Sequence, residues 1–258
     1  MAGSQIERVL NLLEHLTSDP RGLPLQSLAE QLDIPKSATH RMLSELQRLG
    51  YVRQNAETLR YHLSTRLVAL GFRYLANSGA DIVQPVLDRL AQDSAELVRL
   101  GVIEGERLTW IAKSQGARSG LRYDPDMGRD APLFYTASGH AWLASLSDAQ
   151  ALALVERQGR GDPSDFGPNA PASNAELLER LQRARQQGYA WVAQSSAVGT
   201  SALAAVVCAG DSGRAIGVLS IAGPSARLSE ERLHALAAPL LAATAELSAA
   251  SPASELFG

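Results

Sequence analysis

The chain has 258 residues, 45% hydrophobic and 20% charged, enough for two ordinary domains that each bury a core. A net charge of −3 is unpromising for a nucleic-acid binder, but it hides an asymmetry: residues 1–78 hold nine Lys and Arg against seven Asp and Glu, the remainder fifteen against twenty. The single cysteine, Cys208, excludes an internal disulfide and a Cys-rich zinc site, and no apolar run approaches the ~20 residues of a membrane span, so a cytoplasmic protein is expected.

Ile6, Val9, Leu10, Leu13 and Leu16 recur at helical spacing and mark a first amphipathic helix, stopped by "SDPRG". Leu25, Leu28, Ala29 and Leu32 mark a second, and "DIP" is a tight turn. Pro35 suits the first position of a third helix, where its missing N–H costs nothing. That helix runs to about Leu49 and stops at Gly50. On a wheel Ala38, Met42, Leu46 and Leu49 share one face, with Ser37, His40, Arg41, Ser44 and Arg48 broadly opposite. "YVRQNAETLRYHLS" reads as a β-hairpin, and helix, helix, turn, helix, hairpin is the order of a winged helix-turn-helix. The candidate DNA contacts are Gln26 and Ser27 on the second helix, Lys36, Ser37, Thr39, His40, Arg41 and Ser44 on the third, and Arg53 and Arg60 on the wing. Arg41 can pair bidentately with guanine, Lys36 suits a phosphate, and the wing arginines suit the flanking backbone or minor groove.

"TRLVALGFRYLANS" carries Leu67, Leu70, Gly71, Tyr74 and Leu75 on one stripe, a linker helix and dimer contact that "NSGAD" ends. Helices and mostly hairpin-linked strands then alternate: "DIVQPVLDRLAQDS", "ELVRLGVIE", "RLTWIAKSQ", "ASGHAWLASL", "SDAQALALVERQ", "NAELLERLQRARQQG" behind a Ser173/Glu176 capping box, "YAWVAQSS", "SALAAVVCA", "AIGVLSIAG" and a final helix. This is α+β with an antiparallel sheet. The boundaries are 1–64 for the winged helix-turn-helix, 65–80 for the linker helix, 81–250 for an effector-binding and oligomerisation domain, and 251–258 for a frayed tail. "GDSG" (210–213) echoes a protease nucleophile segment but reads as a hairpin turn, and "RGD" (160–162) as a solvated loop. Asp124/Asp126 and Glu230/Glu231 read as turn and helix-start acids, Cys208 as a small core residue, and the five histidines are scattered without metal-ligand spacing; no metal site and no cofactor are expected.

"IERVLNLLEHL", "GLPLQSLAEQLDIPKSATHRMLSELQRLGYV", "RYHLSTRLVALGFRYL", "TASGHAWLASL" and "IGVLSIAGPSARLSEERL" resemble, in order, segments of the IclR family of bacterial transcriptional regulators. The resemblance implies a GAF-like or PAS-like effector domain, a homodimer or homotetramer, palindromic operator DNA and a small metabolite effector, often an organic or aromatic acid. It places the effector cavity at Tyr123, Ala131, Ala137, Ser138, Ala202 and Ser220, and Leu121, Tyr123 and Phe134 would supply apolar walls. The free N–H groups at the start of the helix at Ala137 suit a carboxylate. Two departures stand out: the loop "AQSSAVGTS" lacks the acids common there, and "GHA" replaces "GKA", with His140 read as structural. Fewer charges favour an aromatic or less polar ligand. The rival readings are an enzyme in the C-terminal domain, for which no nucleophile and base can be assembled, and a C-terminal domain that only oligomerises.

Overall fold

Ser4 opens helix α1 (Gln5–His15) with a reciprocal cap: its hydroxyl accepts from the Glu7 amide at 3.1 Å and the Glu7 carboxylate accepts from the Ser4 amide at 3.2 Å. Helix α2 (Leu25–Gln31) follows, and Asp33, at φ 50°, makes the turn into helix α3 (Lys36–Arg48). Pro35 is not the first helical residue as expected but the cap before it, with an extended ψ of 135°. Gly50, at φ +81°, ends α3 in a Schellman motif, its own amide donating to Gln47 O and the Tyr51 amide to Leu46 O. Strands β1 (Val52–Gln54) and β2 (Tyr61–Leu63) form the antiparallel wing, and Leu23 bridges to Tyr61. Leu12, Leu28, Leu43, Leu46, Val52 and Tyr61 form the core of this unit. Helix α4 (Thr65–Asn77) leaves Val68, Phe72 and Tyr74 exposed, Phe72 to 67%.

These elements belong to one compact unit, Met1–Ala76, and the rest of the chain to a second, Asn77–Gly258; the computed structural model describes residues 4–77, 80–125, 127–210 and 212–257. Part of "NSGAD", together with Asp126 and Asp211, lies outside the described residues.

The second unit is built on a five-stranded antiparallel sheet in the order β4-β3-β7-β6-β5, with β3 (Leu97–Glu104), β4 (Arg107–Gln115), β5 (Ala190–Ala193), β6 (Thr200–Cys208) and β7 (Ala215–Pro224). Ala204 and Val218 face a core shared with α6 (Ala137–Ala144), α7 (Asp148–Gln158) and α8 (Asn174–Gln187). Their chain neighbours Leu203, Ala205 and Leu219 alternate to the opposite face, where α5 (Ala80–Ser94) and α10 (Ala237–Ala250) pack. The β3/β4 register slips between Leu100 and Gly101, so Ile111 is skipped and Trp110 turns to the α6 side opposite Gly101. A Cβ at Gly101 would come within 2.8 Å of Leu108 Cδ1, so a side chain there would require Leu108 to shift.

Three sequence expectations need correction. The Ser173 hydroxyl caps α8 by accepting from the Glu176 amide, but the Glu176 carboxylate takes the Ala172 amide at 2.8 Å, one residue outside a true capping box. Residues 251–257 are not frayed: they form two 3₁₀ turns that bury Leu256 and Phe257, the latter against Gly217 of β7. Helix α9 (Glu230–Ala235) runs into α10 and beyond as a 24-residue stretch, Glu230–Ala253, apolar and long enough to cross a membrane by composition. Its apolar side is used in packing, since Leu240, Ala243, Thr244 and Leu247 are buried and α10 lies on β6 and α5. At "GDSG", Ala209 N donates to Arg214 O and Gly213 N to Ala209 O, closing the β6–β7 hairpin.

Candidate functional site

On α3 the side chains of Lys36, Ser37, His40, Arg41, Ser44 and Arg48 are exposed together, while Met42, Leu43 and Leu46 fill the core beneath. Thr39 departs from the expectation. It shares the face of Leu43 and Leu46, is 0% exposed, and its hydroxyl donates to Pro35 O at 3.3 Å, so it has no surface to offer DNA. Ser44 donates back to His40 O at 2.9 Å, and Arg48 is held by Glu45. On α2, Gln26 donates to Glu30 at 2.6 Å and Ser27 is half-buried. Arg53 is exposed on the wing, but Arg60 is half-buried and its Nη1 donates to Gly22 O at 2.8 Å, tying the wing to the loop before α2. The exposed set is thus a basic and hydroxylic helix face with one wing arginine.

In the second unit a small cavity of about 30 Å³ lies between the sheet and the start of α6, lined by Arg99, Trp110, Tyr123, Thr136, Ala137, Ser138, Ser196, Thr200, Ser201, Ala202, Ser220 and Ala222. Five of the eight expected effector residues meet here: Tyr123, Ala137, Ser138, Ala202 and Ser220. Three do not. Leu121 is 72% exposed, its carbonyl held by Arg227, and Ala131 and Phe134 are buried in the α6–α8 core.

The Thr136 hydroxyl caps α6 by accepting from Gly139 N at 3.0 Å, while His140 N donates to Thr136 O. Among the described residues, the Ala137 and Ser138 amides have no backbone or side-chain acceptor, so the positive end of α6 opens on the cavity. Gly139 lets the helix start sit this close, because a Cβ there would be 2.5 Å from the Leu133 backbone. His140 is buried behind it and its Nε2–H donates to Phe134 O at 2.9 Å; burial pushes its pKa down to about 4, so the ring is neutral and structural.

Sequence reasoning missed Arg99 and Trp110. Arg99 is 5% exposed, its guanidinium stacks 3.8 Å from the Trp110 ring centre and 6.0 Å from that of Tyr123, and its Nε and Nη1, like Trp110 Nε1, have no hydrogen-bond partner. Burial holds its pKa down to about 10, still cationic at neutral pH. The available signal was a lone arginine inside the apolar run "ELVRLGVIE". Of the other acids and the thiol singled out in the sequence, Asp124 pairs with Lys113, Glu230 and Glu231 lie in the first turn of α9 with Glu230 beside His234, and Cys208 is half-buried, its thiol pushed up by burial. Arg160 of "RGD" donates to Asn174, and Asp162 caps a 3₁₀ turn.

An IclR helix-turn-helix domain description matches residues 5–56, and the description "bacterial transcriptional regulator IclR C-terminal" matches 77–249. The acetate operon repressor of Salmonella typhimurium is 29% identical over 248 residues, covering 95% of this chain and 89% of the relative. The transcriptional regulator XynR of Escherichia coli is 29% identical over 231 residues, covering 88% and 89%. Among solved structures, an IclR transcriptional regulator from Alicyclobacillus acidocaldarius superposes with a TM-score of 0.83 at 22% identity, covering 96% of this chain and 99% of its own. An IclR homologue from Microbacterium hydrocarbonoxydans, complexed with 4-hydroxybenzoate, superposes with a TM-score of 0.76 at 19% identity, covering 97% and 100%. With a helix-turn-helix at one end and the matched C-terminal domain over most of its length, this chain belongs to the IclR family of bacterial transcriptional regulators.

Proposed function

We propose that the protein is a cytoplasmic, ligand-responsive repressor of a catabolic operon. Residues 1–64 bind double-stranded operator DNA, 65–80 link, and 81–250 bind a small carboxylic acid and assemble the homodimer or homotetramer. The carrying observation is the cavity at the open N-terminus of α6, in the same chain as an exposed basic recognition face on α3. The 4-hydroxybenzoate of the Microbacterium homologue supports an aromatic acid as effector, and the names of several relatives support repression. The uncovered Val68, Phe72 and Tyr74 of α4 support a contact between copies. Effector binding would act by favouring one arrangement of the paired recognition helices over another.

The test is a mobility-shift assay of the full chain on the DNA upstream of its own gene. Saturable, salt-sensitive binding that Arg41→Ala weakens and that an organic acid reverses is expected. Binding unchanged by Arg41→Ala would remove α3 from the interface, and absence of any specific shift would sink the operator assignment.

A further inference from the structure

Arg99 presents a problem that its own protein does not solve. A buried cation is normally matched by a carboxylate or by hydrogen-bond acceptors at its nitrogens. Among the described residues the cavity wall contributes hydroxyls, small side chains and two aromatic rings, and no carboxylate. The acid that acts on this guanidinium, among the described residues, is Asp124, and it is paired with Lys113. The Nε and Nη1 of Arg99 are left without acceptors, on a flat aromatic surface and in the cavity onto which the α6 amides open.

We propose that Arg99 is the counter-ion of the effector, and that the effector is a monocarboxylate with a planar apolar body: the carboxylate bridges Arg99 and the α6 N-terminus, and the body lies against Trp110 and Tyr123. This rests on the reading of the second unit as an effector domain. Single negative charge follows from Arg99 being the one cation among the described lining residues; a dicarboxylate would bring a second anion with no second cation among them to meet it. The planar body follows from the two rings that flank the guanidinium. A volume of about 30 Å³ holds roughly one water, so entry requires a wall to move. One wall is the segment bearing Tyr123, held among the described residues by Gln115 Nε2 to Tyr123 O, Arg227 Nη1 to Leu121 O and the Lys113–Asp124 pair. When a carboxylate draws the guanidinium away from the indole, Trp110 emission changes.

The test titrates the full chain with benzoate, 4-hydroxybenzoate, phenylacetate and pyruvate, each beside its neutral amide, by calorimetry and tryptophan fluorescence. At least one aromatic acid should bind at least about tenfold more tightly than its amide and change the fluorescence. Arg99→Gln should lose at least about tenfold in acid affinity, Arg99→Lys should recover part of it, and Trp110→Phe should abolish the optical signal. The acid-against-amide comparison needs only the wild-type chain, so a poorly folding variant does not spare the proposal. Equal binding of acid and amide, or acid binding within about twofold in folded Arg99→Gln, overturns the role of Arg99 and leaves the effector domain standing. If only neutral compounds bind, the anionic effector and the role of Arg99 fall and the effector domain stands; if nothing in the panel binds, the proposal and the acid-effector reading fall together.

Discussion

Replacing Arg99 by methionine should make the ligand-free protein more stable while removing its response to an acid. Methionine keeps the length and much of the volume of the arginine stem and adds no charge, so the main change is loss of a buried cation. Burial lowers the folded-state pKa from the ordinary guanidinium value to about 10, which corresponds to roughly 3 kcal/mol of disfavour for the protonated form. The sign is that of a base depressed by folding: below pH 10 the group is protonated in both folded and unfolded chains, so the cost is fully present at neutral pH. It shrinks only as the pH rises through 10. Stacking on Trp110 returns about 1–2 kcal/mol, leaving a net gain of roughly 1–2 kcal/mol for the substitution. In a unit of this size that raises Tm by roughly 2–8 °C. All three tryptophans, Trp110, Trp142 and Trp191, lie in the second unit, so thermal unfolding followed by tryptophan emission reports on it selectively. A lower Tm for Arg99→Met would mean that the arginine holds the fold, and the argument from an unpaired charge would fail.

His140 gives a pH signature. Its folded pKa is held near 4 by burial while the unfolded ring titrates near 6.5, so its stabilisation is complete above about pH 6.5 and is lost as the pH falls towards 4, up to about 3 kcal/mol in all. Chemical denaturation at stepped pH should show that slope, and His140→Gln should flatten it. Arg227→Ala strands the Glu96 carboxylate, 3% exposed, and should cost about 3 kcal/mol in denaturant unfolding, most of which Glu96→Gln on the same background restores. Gly139→Ala drives a Cβ into the Leu133 backbone and should destabilise the second unit by more than about 2 kcal/mol, read from the same tryptophan transition. On the operator, Lys36→Ala should lower the salt dependence of binding by about one phosphate contact. The buried Thr39→Val should leave affinity within about twofold. A large loss for Thr39→Val would mean that α3 meets DNA through a different face.

Local signals made the recognition helix legible. Its apolar period, the breakers around it and the hairpin after it each depend on residues a few positions apart, and α3 came out within a residue of its expected start. Thr39 was misplaced because a threonine among polar residues reads as surface, whereas a helix turns 100° per residue and puts position 39 over Leu43. The tail was misread for a related reason: "SPASELFG" has the composition of a loose end, and only the Gly217 gap on β7, 40 residues away in sequence, shows what Phe257 fills.

The effector cavity divides along the same line. Tyr123, Ala137, Ser138, Ala202 and Ser220, which do line it, all came with the family resemblance. Arg99 did not, although it bears the strongest chemistry in the cavity. Its meaning rests on two nonlocal facts: a register slip that turns Trp110 towards it, and a loop across the sheet that lines the cavity with Ser196, Thr200 and Ser201. An arginine in a strand is ordinary when a partner strand supplies a carboxylate. What distinguishes this one is that among the described residues no such partner meets it, a property of the assembled sheet, and it directs the search for the effector towards acids with a single charge.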